Sequence, residues 1–555
     1  MQHRSFLAAT LLSATLLGTA LPAQMAGTYV LDPNASSSAF HSFTEACNAM
    51  FVSGIAGPVE ILVMPGTYTE SVLVPPLQGA SSTNTITFRA LAGPGTVLLS
   101  GAAGDTFALL AVAFLHNTSM TWDGIDFLGG PGHAISASEF VEDLEIRNCT
   151  FAAGHRSNAA GEYRHAVIVS ENSGTEAGWR IHHNHITLSS HTNRTSYGIY
   201  LSDGGDWSIH HNTFDLNSGD TGLWMINNNR RIDRVYNNLF LGQLNAVNSS
   251  YANTVCVIRA DISNYENEFT HNTFAVQLPS GGCCIATSGY LQGTLPTQNY
   301  IYGNIFYTIG GTAICMTNNG SVPPLESNGN VFFCPGGEIG RTDAGTPGAT
   351  TLSAWQTLSG KDTNSVEIDP ALTSPFGSTI DLRPLPNSPI VGIAVNTPSY
   401  VTDDYAGRFR DGQPDAGAYE ATSFAHYGQG CAGTNALVPA MGSTGTVALG
   451  STNFSFSLTQ AAANTLAVLM GGLSRTTSSA GSLPFSIGGG CQILASPDAV
   501  RSLISSPQGT AAAAFPIPSS TSLSGFDLFF QWAVIDAASG SAYGITVSDA
   551  GALQL

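Results

Sequence analysis

Between residues 133 and 234 the chain concentrates side chains that can move a proton or hold an anion. Nine of its 14 histidines lie from His133 to His211, and eight of its 17 arginines from Arg147 to Arg234. At the centre are two nearly identical stretches. One is Trp179-Arg180-Ile181-His182-His183-Asn184-His185-Ile186 and the other Trp207-Ser208-Ile209-His210-His211-Asn212-Thr213-Phe214. A histidine titrates near neutrality and serves as general acid or base. An arginine fork matches a carboxylate, and a tyrosine offers a ring face and a phenolic proton.

The spacing of these stretches predicts the scaffold that holds them. An Asn-x-Phe frame continues at Asn238/Phe240, Asn272/Phe274, Asn304/Phe306 and Asn330/Phe332, with gaps of 28, 26, 34, 32 and 26 residues between successive asparagines. A period of this length is one coil of a parallel β-helix with loops of varying length. Three residues before each Asn stand Ile181, Ile209, Val235, Phe269 and Ile301, so that position faces the core. The positions two and four residues before the Asn then face outward, because side chains alternate along a strand. Read from coil to coil, the first position gives Arg147, His182, His210, Tyr236, Thr270 and Tyr302. The second gives Glu145, Arg180, Ser208, Arg234, Glu268 and Tyr300. With coils about 4.8 Å apart, these form two parallel ladders on one face.

Such a face suits a sugar chain that carries carboxylates. Lyase chemistry on an acidic sugar needs a base, an acid and a cation at the carboxylate. His210 and Tyr236 are the base and acid candidates, with His182 as the third catalytic candidate. Arg180, Arg234, Arg147 and Tyr302 are the substrate-binding candidates. A lysine base is excluded from the coils, since Lys361 is the single lysine. Carboxylates offer a rival. Asp203, Asp206, Asp215, Asp220 and Asp233 flank the same coils, and two of them at a suitable separation would hydrolyse a glycosidic bond. Asp203 and Asp206 are also the metal candidates, with Ca²⁺ as the one cofactor that suits them. His183 and His185 share a side of their strand and could ligate a transition metal. The plainer reading stays open beside all of these: histidine and arginine solvate an exposed β face, aspartates cap turns, and the stacked asparagines satisfy turn backbone.

The rest of the chain sets compartment and class. The first 23 residues read as an export signal, with a short basic start at His3 and Arg4 and an apolar run from Phe6 to Leu17. No later stretch is long and apolar enough to span a membrane. A net charge of −20 with 10% charged residues argues against nucleic acid as a partner. Residues 43–52 have helical spacing and precede Pro65-Gly66-Thr67-Tyr68, as expected of a cap on the open end of a β-helix. A Gly-, Thr- and Ser-rich stretch from about 335 to 365 breaks the repeat, and the coil region closes on Asp415-Ala416-Gly417-Ala418-Tyr419-Glu420.

Together the Pro-Gly-Thr-Tyr entry, the Asn-x-Phe coils and the Asp-Ala-Gly-Ala-Tyr-Glu ending resemble the secreted right-handed parallel β-helix proteins of the pectate-lyase-like superfamily. That fold hosts lyases, hydrolases, epimerases and non-enzymatic adhesins. The chain carries neither the Arg-x-Pro-x-x-Arg pattern of pectate lyases nor the Gly-His-Gly of polygalacturonases. The expectation is therefore an all-β chain. It has a signal peptide at 1–23, a β-helix with an N-terminal cap at 24–421 and a C-terminal β-sandwich module at 422–555. The module resembles those appended to exported bacterial proteins, which implies sorting or attachment to the cell surface. Its only two cysteines, Cys431 and Cys491, are expected to pair. The functional expectation is a secreted or surface-held monomer acting on an acidic polysaccharide as lyase or hydrolase. A non-catalytic adhesion or carbohydrate-binding protein is the alternative.

Overall fold

The computed structural model describes residues 24–555 apart from 102–107, 113–118, 129–132, 138–140, 153–164, 171–177, 189–194, 218, 228–231, 245–252, 261–265, 290–297, 319–324, 343–346, 386–387, 411–412, 422, 446, 448 and 524–525. The export-signal reading of 1–23 lies outside the described residues.

The coils form a parallel β-solenoid of three sheets, two with eleven strands and one with ten. Consecutive strands of a sheet come from consecutive coils. In the first sheet, Arg180–His182 lies between Glu145–Arg147 and Ser208–His210, followed by Ile232–Tyr236, Glu266–Thr270 and Gln298–Tyr302. The interior is built as the alternation requires. Ile181, Ile209, Val235, Phe269 and Ile301 are all fully buried. In the second sheet Phe214, Phe240, Phe274, Phe306 and Phe332 stack nearly parallel, with centroids 4.6–5.3 Å apart. Ile199, Leu201, Leu223, Met225, Ile314 and Met316 of the third sheet point into the same core.

Between the first and second sheets runs the asparagine ladder. Asn184, Asn212, Asn238, Asn272, Asn304 and Asn330 are buried in one stack. Each backbone N–H and each side-chain N–H₂ donates to the side-chain oxygen of the next, at 2.9–3.2 Å. Each N–H₂ also donates to a backbone carbonyl of the coil before, such as Ile181, Ile209 and Val235. The repeat therefore satisfies turn groups that burial would otherwise leave unpaired.

Both ends of the solenoid are closed. Helix Phe43–Ser53 is capped by Ser42 and by Glu70, whose carboxylate accepts the N–H groups of Phe43 and Thr44. Phe43 packs on Tyr68, Phe88 and Trp122 and so seals the first coil. At the far end the Gly/Ser-rich stretch contains a helix that the sequence reading missed, Leu352–Ser359, with Thr351 as N-cap and Gly360 in the left-handed region. Its Trp355 is fully buried and donates to Asp362, whose other oxygen accepts from Asn330 and Ser365. Ser365 in turn accepts the Asn330 N–H, so this turn terminates the ladder.

Residues 390–421 then run back along the outside of the coils as a clasp. Gly417 donates to the Gly303 carbonyl at φ 86°, and a side chain there would strike Ile305 and Thr273. Arg410 and Glu420 form a buried ion pair of 2.9 Å, and Arg410 also donates to Asn237 on the coils. The Asp-Ala-Gly-Ala-Tyr-Glu ending is thus a structural latch. Beyond it, separate antiparallel sheets of five and three strands share a core that includes Phe456, Phe530 and Trp532. Cys431 and Cys491 are joined, as are Cys283 and Cys315. Among the described residues, no helix is long and apolar enough to cross a membrane.

Candidate active site

The register places the two ladders on one outer face. Arg147, His182, His210, Tyr236, Thr270 and Tyr302 pair in succession, and beside them Glu145, Arg180, Ser208, Arg234, Glu268 and Tyr300. The His182 and His210 rings lie 4.7 Å apart and 5° from parallel, and Tyr236 stacks on His210 at 4.6 Å.

A second ring ladder, absent from the sequence reading, flanks the first. The residue before each ladder position turns the corner in the left-handed region, at Asn148 before Cys149 and at His183, His211, Asn237 and His271 before asparagines. Glycine, asparagine and, less often, histidine adopt that conformation. His183 and His211 stack at 4.7 Å and face the first ladder edge-on. Each rung closes through two ring nitrogens. Nδ1 of His182 is 2.8 Å from Nδ1 of His183, and Nδ1 of His210 is 2.7 Å from Nδ1 of His211.

The partners of the outer nitrogens order the protons. Nε2 of His211 is 2.8 Å from the Asp404 carbonyl, which only accepts, so Nε2 carries the proton. Nδ1 of His211 then accepts from His210, and neutral His210 keeps its lone pair on Nε2. One coil below, the Glu145 carboxylate accepts from Nε2 of His182 at 3.0 Å. Because the two rings are parallel, Nε2 of His210 faces the same side, toward Arg180, Ser208 and Arg234. No described residue occupies it. Burial, then the neighbouring His182, His211 and His183, push the His210 pKa down to about 2. His183 is lowered to about 4 by the same causes, although its outer edge is exposed. Glu145 is held down to about 2, first by its hydrogen bond from His182 and then by Arg147 and Arg180. Burial raises Tyr236, so its phenol keeps its proton.

The cations divide into free and committed. Arg180 is 47% exposed, with one long 3.4 Å contact to Glu145. Arg234 touches Glu268 at 3.5 Å and lies 4.9 Å over the Tyr400 ring. Arg147, expected to bind substrate, is instead paired with Asp123 at 3.0 Å and Glu145 at 3.2 Å. Tyr302 is in register but cut off from His210. The rung between Tyr302 and Tyr236 is Thr270, which is fully buried.

The clasp supplies the groups that sequence reading missed. Tyr400 meets Tyr236 edge-on at 5.2 Å and donates to Glu268 at 2.6 Å. Tyr405 bonds Thr213, and Asp403 lies 3.6 Å from Nε2 of His211. A cleft of about 570 Å³ opens within the clasp itself, around Gly392, Thr397 and Arg410, and among the described residues no acid or histidine lines it.

Three of the rival carboxylates act as turn acceptors. Asp220 takes the Ser196 N–H, Asp233 the Trp207 N–H and Asp215 the Asn217 N–H. Asp206 is exposed in a left-handed turn, and the Asp203 side chain lies outside the described residues. His183 and His185 part company at Asn184, since His185 belongs to the second sheet.

No family model matches the chain, and neither does any curated protein. Among solved structures it is similar to an alginate lyase from Paenibacillus sp. str. FPU-7, at 12% identity and TM-score 0.33, over 58% of this chain and 97% of that one. It is also similar to pectate lyase Pel9A, at 15% identity and TM-score 0.37, over 71% of this chain and 96% of that one. The complex of XylC with xylose matches at 12% identity and TM-score 0.36, over 71% and 98%.

Proposed function

We propose that the chain is an exported protein that cleaves an acidic polysaccharide by β-elimination at the face of Arg180, Ser208, His210, Arg234 and Tyr236. The observation that carries this reading is the His210 ring, stacked between His182 and Tyr236 with Nδ1 committed to His211, beside the ladder that holds Arg180 and Arg234. A uronate carboxylate held by Arg180 or by Arg234, two coils apart, has its charge neutralised, which acidifies the adjacent C5 proton. Nε2 of His210 takes that proton. Tyr236, stacked on the same ring and protonated, gives one to the departing glycosidic oxygen. The bound carboxylate also opposes the depression of the His210 pKa and so strengthens the base. Glu145 fixes the His182 ring and Asp404 the His211 ring, so the stack is held before substrate arrives. The Asp203–Asp206 pair keeps its place as a proposed Ca²⁺ site, and the 422–555 module as a proposed β-sandwich for surface attachment.

A hydrolase needs two carboxylates across the bond. Three of the five rival aspartates are engaged in turns, which favours elimination. A binding-only surface is the second reading, supported by the exposure of Arg180 beside stacked rings. A panel of polyuronides tests both, read as ultraviolet absorbance of new unsaturated ends, as reducing ends and as retention of the protein in glycan gels. Unsaturated ends support the lyase, reducing ends alone the hydrolase, and retention without product the binding surface. No product and no retention on any acidic glycan would overturn the proposal.

A further inference from the structure

The two histidine rungs have a geometry that proton sharing alone does not require. Three ligand atoms, from His182, His183 and His210, all lie within 4.8 Å of one another, and no other group of three or more His, Cys, Asp or Glu among the described residues does so. Within each rung the two Nδ1 atoms face each other at 2.8 and 2.7 Å. A metal bonded to two imidazoles at about 2.0–2.1 Å holds their nitrogens about 3 Å apart when they are cis. Each rung is therefore a chelating pair close to its bound geometry. The pairs are stacked coil on coil, with ring centroids 4.7 Å apart on both sides. His183 and His211 hold φ of 56° and 55°, at a corner where the next coil carries Asn237. An outer partner is also in place. Glu145 holds Nε2 of His182, as such groups do for metal-bound histidines.

We propose that His182, His183 and His210 bind one late first-row transition-metal cation through their Nδ1 atoms. All-imidazole donors select Zn²⁺, Cu²⁺ or Ni²⁺ over Ca²⁺ or Mg²⁺. The protons balance without release to solvent: those on Nδ1 of His183 and His210 move to Nε2, and the three Nδ1 lone pairs go to the metal. Nε2 of His210 then carries a proton. If the elimination mechanism holds, the metal inhibits it by removing the base, and this consequence alone rests on that mechanism.

The test is titration of the purified, chelator-treated full chain with Zn²⁺ and with Cu²⁺ in the absence of glycan. Calorimetry and Cu²⁺ electron paramagnetic resonance are the readouts. Asparagine stands at the same corner two coils on, at Asn237, so His183→Asn preserves the turn. The expected result is one equivalent bound, nitrogen hyperfine structure from three imidazoles, and at least tenfold weaker binding in His183→Asn. His185→Asn, on the second sheet, should bind as the wild type does. Absence of binding at millimolar metal, or equal loss in both variants, would overturn the site. Because no glycan is present, that outcome leaves the lyase reading to stand or fall on its own assay.

Discussion

At the scale of single residues, the account turns on which nitrogen of His210 holds the proton. His211 and Asp404 settle this from one side, leaving Nε2 to face Arg180 and Arg234. His210→Ala is expected to lower kcat by roughly 10²–10⁴ with little change in substrate retention, since general-base catalysis contributes that much. Arg180→Ala and Arg234→Ala should mainly raise KM, and steady-state kinetics on the preferred glycan would separate the two effects. The depressed histidines also make a stability prediction for metal-free protein. His210 and His183 titrate near 2 and 4 in the folded chain and near 6.5 when unfolded. Between about pH 6.5 and 4 the unfolded chain binds protons that the folded chain refuses, so stability falls as pH falls. Urea denaturation across that range should show this slope, and His210→Gln should flatten it. A slope unchanged in the variant would mean that other groups carry it. None of the corner histidines was legible as a ring ladder in the sequence. Left-handed turns are expected at glycine or asparagine, and the frame before Asn184 and Asn212 reads as an ordinary strand end.

At the scale of elements, the coils were legible because one residue type recurs at a fixed frame. Asparagine at 184, 212, 238, 272, 304 and 330 has a single physical use in the fold, and the ladder hydrogen bonds show it. Asn238 donates to Asn272, Ile209 and Tyr236 and accepts twice from Asn212. Asn238→Ala should cost about 3 kcal/mol, since buried donors and acceptors lose partners at about 1–3 kcal/mol each. Chemical denaturation would register it, and a loss below about 1 kcal/mol would mean the ladder is redundant. Helix Leu352–Ser359 had its signals in the sequence, Thr351 before it and Gly360 after it. They were masked by a composition rich in glycine and serine, which reads as loop.

At the scale of the whole molecule, the site is finished by a segment far away in the chain. His211 meets Asp404 across 193 positions, and Thr213 meets Tyr405 across 192. No local pattern reports such a contact, which is why Tyr400, Asp403 and Tyr405 were invisible before the structure. The latch that holds them is the buried Arg410–Glu420 pair. Arg410→Ala leaves the buried Glu420 carboxylate without its cation, and breaking such a pair costs about 3–5 kcal/mol. It should lower the thermal midpoint and also raise KM, because Tyr400 loses its seat beside Tyr236 and Arg234. A variant with normal KM would show that the clasp closes the solenoid without serving the site.

The most direct test of the central claim is product formation from a polyuronide by the intact protein and by His210→Ala, followed as ultraviolet absorbance of unsaturated ends. The account predicts steady growth of absorbance with the wild type and at least a hundredfold slower growth with a folded His210→Ala protein. Equal rates in the two proteins would contradict it.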